Sequence, residues 1–172
     1  MSLMKKDEAI EKLNLRDSAS KAAYILKEKH PTVEFTSGRR DKQAQARAMA
    51  SNVLKNRTWI EQTYIKHEVS IACQKWVDDH PEAVTQAQLE AGLMEALNTF
   101  TEEEIRKISW HLSGDAFDVK PVQENAEQIK ADIRALPNLN KFLEKEGGLE
   151  RWHAQFLNME EPFDFQTPTS VA

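Results

Sequence analysis

The chain has few of the residues that mark several common classes of protein. Its 172 residues include a single cysteine, Cys73, which excludes an internal disulfide framework and any zinc site built from several cysteines. Cys73 falls in an apolar helical pattern, so we interpret it as a small buried hydrophobic residue. No apolar run reaches the length that spans a bilayer, and we therefore expect no membrane insertion.

Basic residues are not in excess either. The sequence has 23 Lys and Arg against 28 Asp and Glu, a formal net charge of -5, and the two signs are interleaved along the chain. Because nucleic-acid binding relies on a concentrated basic surface, we expect no nucleic-acid partner. The N-terminal segment MSLMKKDEAI also lacks the apolar core of a secretory signal, so we expect synthesis and initial retention in the cytoplasm.

The length allows one sizeable core, and we predict one catalytic domain over residues 1–172 and a monomer. Residues 1–16 are expected to form an N-terminal helical extension, in which residues 1–3 look like a cloning remnant. Residues 158–172 are polar and are expected to form a loose tail.

Hydrophobic periodicity predicts a helix-rich α+β domain with a small sheet of about three short strands. Helical spacing covers residues 5–30, 41–54, 59–79, 84–100, 101–109, 124–136 and 139–146. Alternation and β-branched residues predict strands over 32–37, 114–122 and 149–157. The pair Gly147-Gly148 is interpreted as a helix stop, since glycine adopts a left-handed conformation easily.

Three of the five histidines are interpreted as structural. His30 and His80 each precede a proline at a predicted helix end, where an imidazole often lies near the last carbonyl groups. His67 lies within a predicted helix, with no acid or histidine at the spacing of a helical metal pair. We therefore expect none of them to take part in chemistry.

The other two histidines lie beside carboxylates near predicted turns and strands. In the stretch SWHLSGDAFD, Gly114 permits a tight reversal, so that His111 before the turn and Asp118 after it could face one ion. Together with His153 they supply the three protein ligands of a catalytic zinc. Taken alone, the spacing in SWHLSGDAFD fits an ordinary glycine turn equally well.

Further residues could complete such a site. Glu150, three residues before His153, could take a proton from water and return it to a leaving amine. Arg39 and Arg40 follow the first predicted strand in FTSGRRDK and could bind a substrate carboxylate or a developing oxyanion. The alternative interpretations are that Glu150 is a solvated strand residue and that the two arginines lie on a solvated loop.

Three segments resemble the ordered motifs of a known family. TSGRR, SWHLSGDAFD and LERWH match Ser-Gly-x-Arg, Ser-x-His-x-x-Gly-x-Ala-x-Asp and Glu-x-x-His at every fixed position. These are the motifs of the zinc D-alanyl-D-alanine carboxypeptidase and dipeptidase family, which includes phage L-alanyl-D-glutamate endopeptidases that act as endolysins. The resemblance runs from about Phe35 to Phe156, and the three motifs carry it.

The resemblance implies a fold, a cofactor and a role for each matching residue. The fold would be a small antiparallel sheet packed with helices, and Zn²⁺ would be bound by His111, Asp118 and His153. Glu150 would be the general base and acid, Arg40 would hold a substrate carboxylate or polarise the scissile carbonyl, and Ser109 would line the substrate pocket. The implied partner is the peptidoglycan stem peptide.

The expected function is hydrolysis of an amide bond in that peptide by a phage or prophage endolysin, which acts on the cell wall after its release. A D-alanyl-D-alanine carboxypeptidase or dipeptidase is the nearest alternative, and an inactive phage structural or cell-wall-binding protein is a third. Two histidines and a carboxylate also form the site of non-haem Fe(II) oxygenases, but these need more strands than the sequence offers. The role of the helical segment 55–107 and the choice between Arg39 and Arg40 stay open.

Overall fold

Helices form much of the ordered backbone in the computed structural model, which describes residues 5–159. Within this range the helices are α1 (Glu8–Glu11), α2 (Asp17–Lys29), α3 (Lys42–Val53), α4 (Trp59–Thr63), α5 (Glu68–Asp79), α6 (Gln86–Leu97), α7 (Glu102–Arg106) and α8 (Ala126–Arg134), with a 3-10 helix at Trp110–Ser113. None of the helices in this part of the chain is long and apolar enough to cross a bilayer. The expected remnant at 1–3 and residues 160–172 of the expected tail lie outside the described residues.

Four antiparallel strands complete the part of the fold that the structure describes. They are β1 (Phe35–Ser37), β2 (Ala116–Val119), β3 (Leu139–Glu146) and β4 (Leu149–Phe156), in the order β1-β2-β4-β3 across the sheet. The predicted α+β class is therefore confirmed, with one strand more than expected from the sequence.

The additional strand corrects one prediction. Residues 139–146 were expected to form a helix, and this is wrong: they form β3, which pairs with β4 along its length. Gly147 and Gly148 have φ values of 54° and 77° and form the tight turn of this hairpin. Two successive residues with positive φ match the right-handed twist of a hairpin, so the glycines end a strand here and not a helix.

A second correction concerns residues 59–79, which were expected to form one helix. The structure breaks them into α4 and α5, and His67 and Ser70 account for the break. The His67 ring accepts a hydrogen bond from the first turn of α5, and the Ser70 hydroxyl accepts one from the His67 backbone N–H. This reciprocal cap satisfies backbone donors that would otherwise lack partners, so the helix restarts there. It also gives His67 a structural role.

Side chains alternate between the two faces of the sheet. The back face carries the large buried apolar residues Phe117, Val119, Trp152, Ala154 and Phe156, which share one hydrophobic cluster with residues of α2 and α8. Residues at the alternate positions, including Asp118 and His153, lie on the front face. Because side chains alternate with a period of two residues, the same two strands place apolar residues in the core and polar residues on the front face.

A second hydrophobic cluster lies among helices α3 to α7. Its fully buried members include Met49, Ile60, Leu89, Leu93 and Leu97. Cys73 is buried in this cluster, and burial raises the pKa of its thiol to about 12, so it is a packing residue with no thiolate at neutral pH. The cluster supports the helices that face the front of the sheet.

Arg57 fastens the end of α5 to the segment before α4. Its guanidinium donates hydrogen bonds to the carbonyl oxygens of Val77, His80 and Ala83, at the end of α5 and in the turn that follows it. We expect Arg57→Ala to lower the free energy of unfolding by about 2 kcal/mol, because hydrogen bonds from charged donors are lost together. Urea denaturation measures this. Lys55→Ala, at an exposed neighbouring position, is the control, and equal losses in the two variants would contradict the assignment.

Candidate metal centre

A short loop brings His111 and the strand carrying Asp118 together. The Ser109 hydroxyl accepts a hydrogen bond from the His111 N–H and caps the 3-10 helix, which ends at Gly114 with φ of 81°. Only glycine adopts this conformation without strain, and it directs the chain into β2. Asp115 lies outside the cluster of possible ligands, and its carboxylate accepts hydrogen bonds from the Arg16 guanidinium.

The sheet positions Asp118 and His153, the other two potential ligands. Asp118 on β2 lies directly opposite His153 on β4, and Ser37 of β1 lies beside Asp118 in the same row. Side chains of directly opposed residues in antiparallel strands point to the same face at short range. The three sequence motifs, far apart along the chain, therefore meet at one row of the sheet.

Three potential ligand atoms converge on one point. His111 Nε2 lies 3.2 Å from Asp118 Oδ1 and 3.2 Å from His153 Nδ1, and His153 Nδ1 lies 2.9 Å from Asp118 Oδ1. A tetrahedral zinc ion with bonds of about 2.0–2.1 Å separates its nitrogen and oxygen ligands by about 3.3 Å. The spacing of the three atoms fits this geometry closely, and these residues could hold a metal ion.

Hydrogen bonds on the far side of each imidazole fix which nitrogen faces the centre. His111 Nδ1 donates to the Gly38 carbonyl oxygen at 2.8 Å, which leaves a lone pair on Nε2. His153 Nε2 donates to Gln155 Oε1 at 3.0 Å, and Gln155 is itself oriented by donating to Asn140 Oδ1. Metal-binding histidines are held by such partners. Three lone-pair donors thus face one another, and only a cation or a proton can occupy the space between them.

The directions of the pKa shifts of these residues also favour positive charge at this point. Burial raises the pKa of Asp118, but His111 and His153 outweigh it and hold that pKa well below its usual range. Burial lowers the pKa of His111. Burial acts likewise on His153, but there the hydrogen bond with Asp118 prevails and the pKa is raised. The site therefore favours an ionised carboxylate beside a positive charge.

Arg40, and not Arg39, lies at this site. Its Nη2 donates to Asp118 Oδ2 at 3.1 Å, and its Nε donates to Ser37 Oγ at 2.9 Å. The Arg40 side chain is 15% exposed, whereas Arg39 is exposed and lies over Gly114. Arg40 therefore orients Asp118 through its Oδ2 atom, and it also borders the cavity.

A cavity of about 180 Å³ opens in front of the three converging atoms. Ser109 contributes to its wall. The segment whose role was open also contributes to the lining, with Trp59, Thr63 and Tyr64 of α4 and its end, and Lys107 after α7. The helical segment 55–107 therefore forms part of the cleft wall.

Glu150 is not brought to the cavity. It is exposed, lies opposite Lys145 and shares the alternation of the back-face residues on β4. Besides Asp118, the carboxylate of the described residues that borders the cavity is that of Glu146, the last residue of β3, whose Oε1 lies 3.8 Å from His153 Nδ1. Burial raises the pKa of Glu146, although the nearby His153 opposes the shift.

The sequence reasoning missed two residues of this site. Glu146 could not be found because its segment was assigned to a helix. Gln155 could have been found, because a residue two positions after His153 on a strand must lie on the same face. Of the remaining histidines, His30 pairs with Asp132 and the His80 ring stacks on Trp76.

Comparison of the chain with models of protein families, with curated proteins and with solved structures finds no match. The arrangement of His111, Asp118 and His153, with its oriented ring nitrogens, is therefore the basis for any statement about function.

Proposed function

We propose that the protein is a zinc-dependent peptidase that hydrolyses an amide bond in the peptidoglycan stem peptide. One observation carries the proposal: His111 Nε2, Asp118 Oδ1 and His153 Nδ1 converge at ligand spacing, with both imidazoles oriented to offer lone pairs. Two nitrogens and one oxygen form a donor set that suits zinc and leaves a position open for catalysis. The motif resemblance supports the choice of a peptidase.

The proposed ion and the residues around it have different roles in hydrolysis. A bound zinc ion supplies Lewis-acid chemistry, which polarises a carbonyl group and activates water. Arg40 holds Asp118 in place and adds a fixed positive charge beside the cavity, where it stabilises a developing oxyanion. Ser109 caps the 3-10 helix and borders the space in which a peptide would lie.

The charge around the cavity supports an acidic peptide as the substrate. Four cationic side chains border it, against the two carboxylates of Asp118 and Glu146; the cations are Arg40, Lys107, Lys141 and Arg151. Trp59, Tyr64 and Trp110 add flat apolar surface. Stem peptides carry free carboxylates next to short aliphatic side chains, so they suit this lining.

Within this proposal we favour an endopeptidase of the phage or prophage endolysin type, which cuts between L-alanine and D-glutamate after release onto the cell wall. The cavity is bounded by a sheet face and by α4, with cations on several sides, which suits a peptide held on both sides of the cut. A D-alanyl-D-alanine carboxypeptidase or dipeptidase would use the same residues and is the nearest alternative.

Digestion of purified peptidoglycan tests the proposal and separates the two variants. We expect mass spectrometry to find new N-terminal D-glutamate, and we expect a chelator to abolish the product and added zinc to restore it. Released D-alanine or its dipeptide would indicate the carboxypeptidase or dipeptidase instead. Absence of any product, or product that persists in the chelator and in His153→Ala, would contradict a zinc peptidase.

A further inference from the structure

The sheet has an irregularity next to the candidate metal centre. Leu143 of β3 lies opposite His153, but Lys145 lies opposite Glu150, so a step of two residues along β3 corresponds to a step of three along β4 and the register shifts between them. Such bulges change which face the following side chains occupy, and they are frequent beside functional sites. Here Lys145 is the first paired residue after the shift, and Glu146 follows it.

The neighbouring side chains on β3 indicate the face that Glu146 would occupy without the register shift. Phe142 lies beneath the Arg134 guanidinium, and Glu144 pairs with Lys130 and Arg134 of α8, so both lie on the back of the sheet. Strict alternation would place Glu146 on that same face. Because the register shifts after Leu143, Glu146 instead borders the cavity, with its side chain 13% exposed.

The structure holds the main chain of Glu146 in place and leaves its carboxylate available. The Glu146 main chain is fixed by the hairpin and by the Trp59 indole N–H, which donates to its carbonyl oxygen at 3.1 Å. Between residues 5 and 159 no hydrogen-bond donor is engaged with the carboxylate itself, and its Oε1 lies 3.8 Å from His153 Nδ1. The atoms that converge at ligand spacing belong to His111, Asp118 and His153, and Glu146 is not among them.

We propose that Glu146, and not Glu150, is the catalytic carboxylate of this site. The inference rests on the proposed function. A carboxylate within one water molecule of the centre meets the geometric requirement for a general base. As the water oxygen bonds to the peptide carbonyl carbon, Glu146 accepts the water proton; as the C–N bond breaks, it delivers that proton to the departing amine nitrogen. Glu150, exposed on the other face, can do neither.

Paired glutamine variants test the inference. We expect Glu146→Gln to lower turnover of a stem peptide by at least 100-fold, the range of general acid–base effects. Zinc content by elemental analysis should stay at one ion per chain. Binding of the uncleaved peptide, followed by the fluorescence of Trp59 and Trp110 in the cavity wall, should stay near that of the wild type. We expect Glu150→Gln to keep turnover within about twofold, since surface changes away from a site have small effects.

A variant with a shorter acidic side chain controls for a folding defect. Glu146→Asp keeps the charge but withdraws it by one methylene, so we expect zinc to stay bound and turnover to fall by about 10-fold or more, since small misplacements of catalytic groups are costly. Normal turnover in both Glu146 variants, or its loss in Glu150→Gln alone, overturns the inference while leaving a zinc peptidase intact. Loss of zinc in Glu146→Gln also overturns it, because Glu146 would then be a ligand. A wild-type protein that neither binds zinc nor cleaves the peptide contradicts the proposed function itself.

Discussion

His111→Ala and His153→Ala are each expected to abolish stoichiometric zinc binding and peptide hydrolysis. Each variant removes one of three converging donor atoms and leaves Asp118 with one imidazole neighbour in place of two. Elemental analysis after dialysis measures the bound metal, and the peptidoglycan digest measures the activity. His80→Ala is the matched control, because that ring stacks on Trp76 in another part of the molecule.

Thermal unfolding gives an independent measurement of the same prediction. A ligand that binds only the folded state stabilises it by about 2.7 kcal/mol when its free concentration is 100 times the Kd. We expect added zinc to raise the Tm of the wild-type protein and of His80→Ala, and to leave the Tm of the two ligand variants unchanged. Stoichiometric zinc in both His111→Ala and His153→Ala would refute the proposed coordination.

A graded effect should come from Gln155, which touches the far side of His153 and not the centre. Gln155→Ala removes the acceptor that orients the ring but keeps every ligand. We expect zinc affinity to fall by about 10–100-fold, the usual cost of losing such a partner. An unchanged affinity would show that the strand alone orients His153.

Arg40→Ala is expected to lower turnover by about 100- to 1,000-fold, the effect of removing one group that stabilises an oxyanion. The variant also removes the hydrogen bond that orients Asp118, so zinc affinity should fall while full occupancy is still reached at high zinc. Turnover should therefore be measured at saturating zinc, with metal content determined on the same samples.

Arg39→Ala is the control for that experiment. Arg39 is its sequence neighbour and carries the same charge, but its side chain is exposed and does not border the cavity. We expect turnover within about twofold of the wild type. If Arg39→Ala alone produced the large loss, the assignment of Arg40 to the site would be wrong.

The errors in the predicted elements have a common physical cause. Residues 139–146 have a composition compatible with a helix, but pairing with β4 decides that they form a strand. Residues 59–79 have continuous helical character, but the capping pair His67 and Ser70 interrupts them. Local propensities are weak compared with tertiary pairing and capping, so the periodicity identified ordered segments more reliably than their type or bounds.

The sequence by itself determined the α+β class and the loop that carries His111 and Asp118, since glycine is required at a positive φ and strand alternation separates polar from apolar side chains. It also indicated the three ligand candidates, whereas the choice between Arg39 and Arg40 stayed open until the structure placed Arg40 beside them. These features depend on spacing along the chain, which a sequence records directly.

Only the tertiary structure decided which carboxylate borders the centre and which hydrogen bonds orient the imidazoles. The position of Glu146 depends on a register shift between β3 and β4, and the orientation of His111 depends on the Gly38 carbonyl group, 73 residues away. Pairing between distant segments sets both, and a shift of one residue reverses the face on which a side chain lies. Motif spacing cannot report such a shift, which is why it indicated Glu150 where the fold presents Glu146.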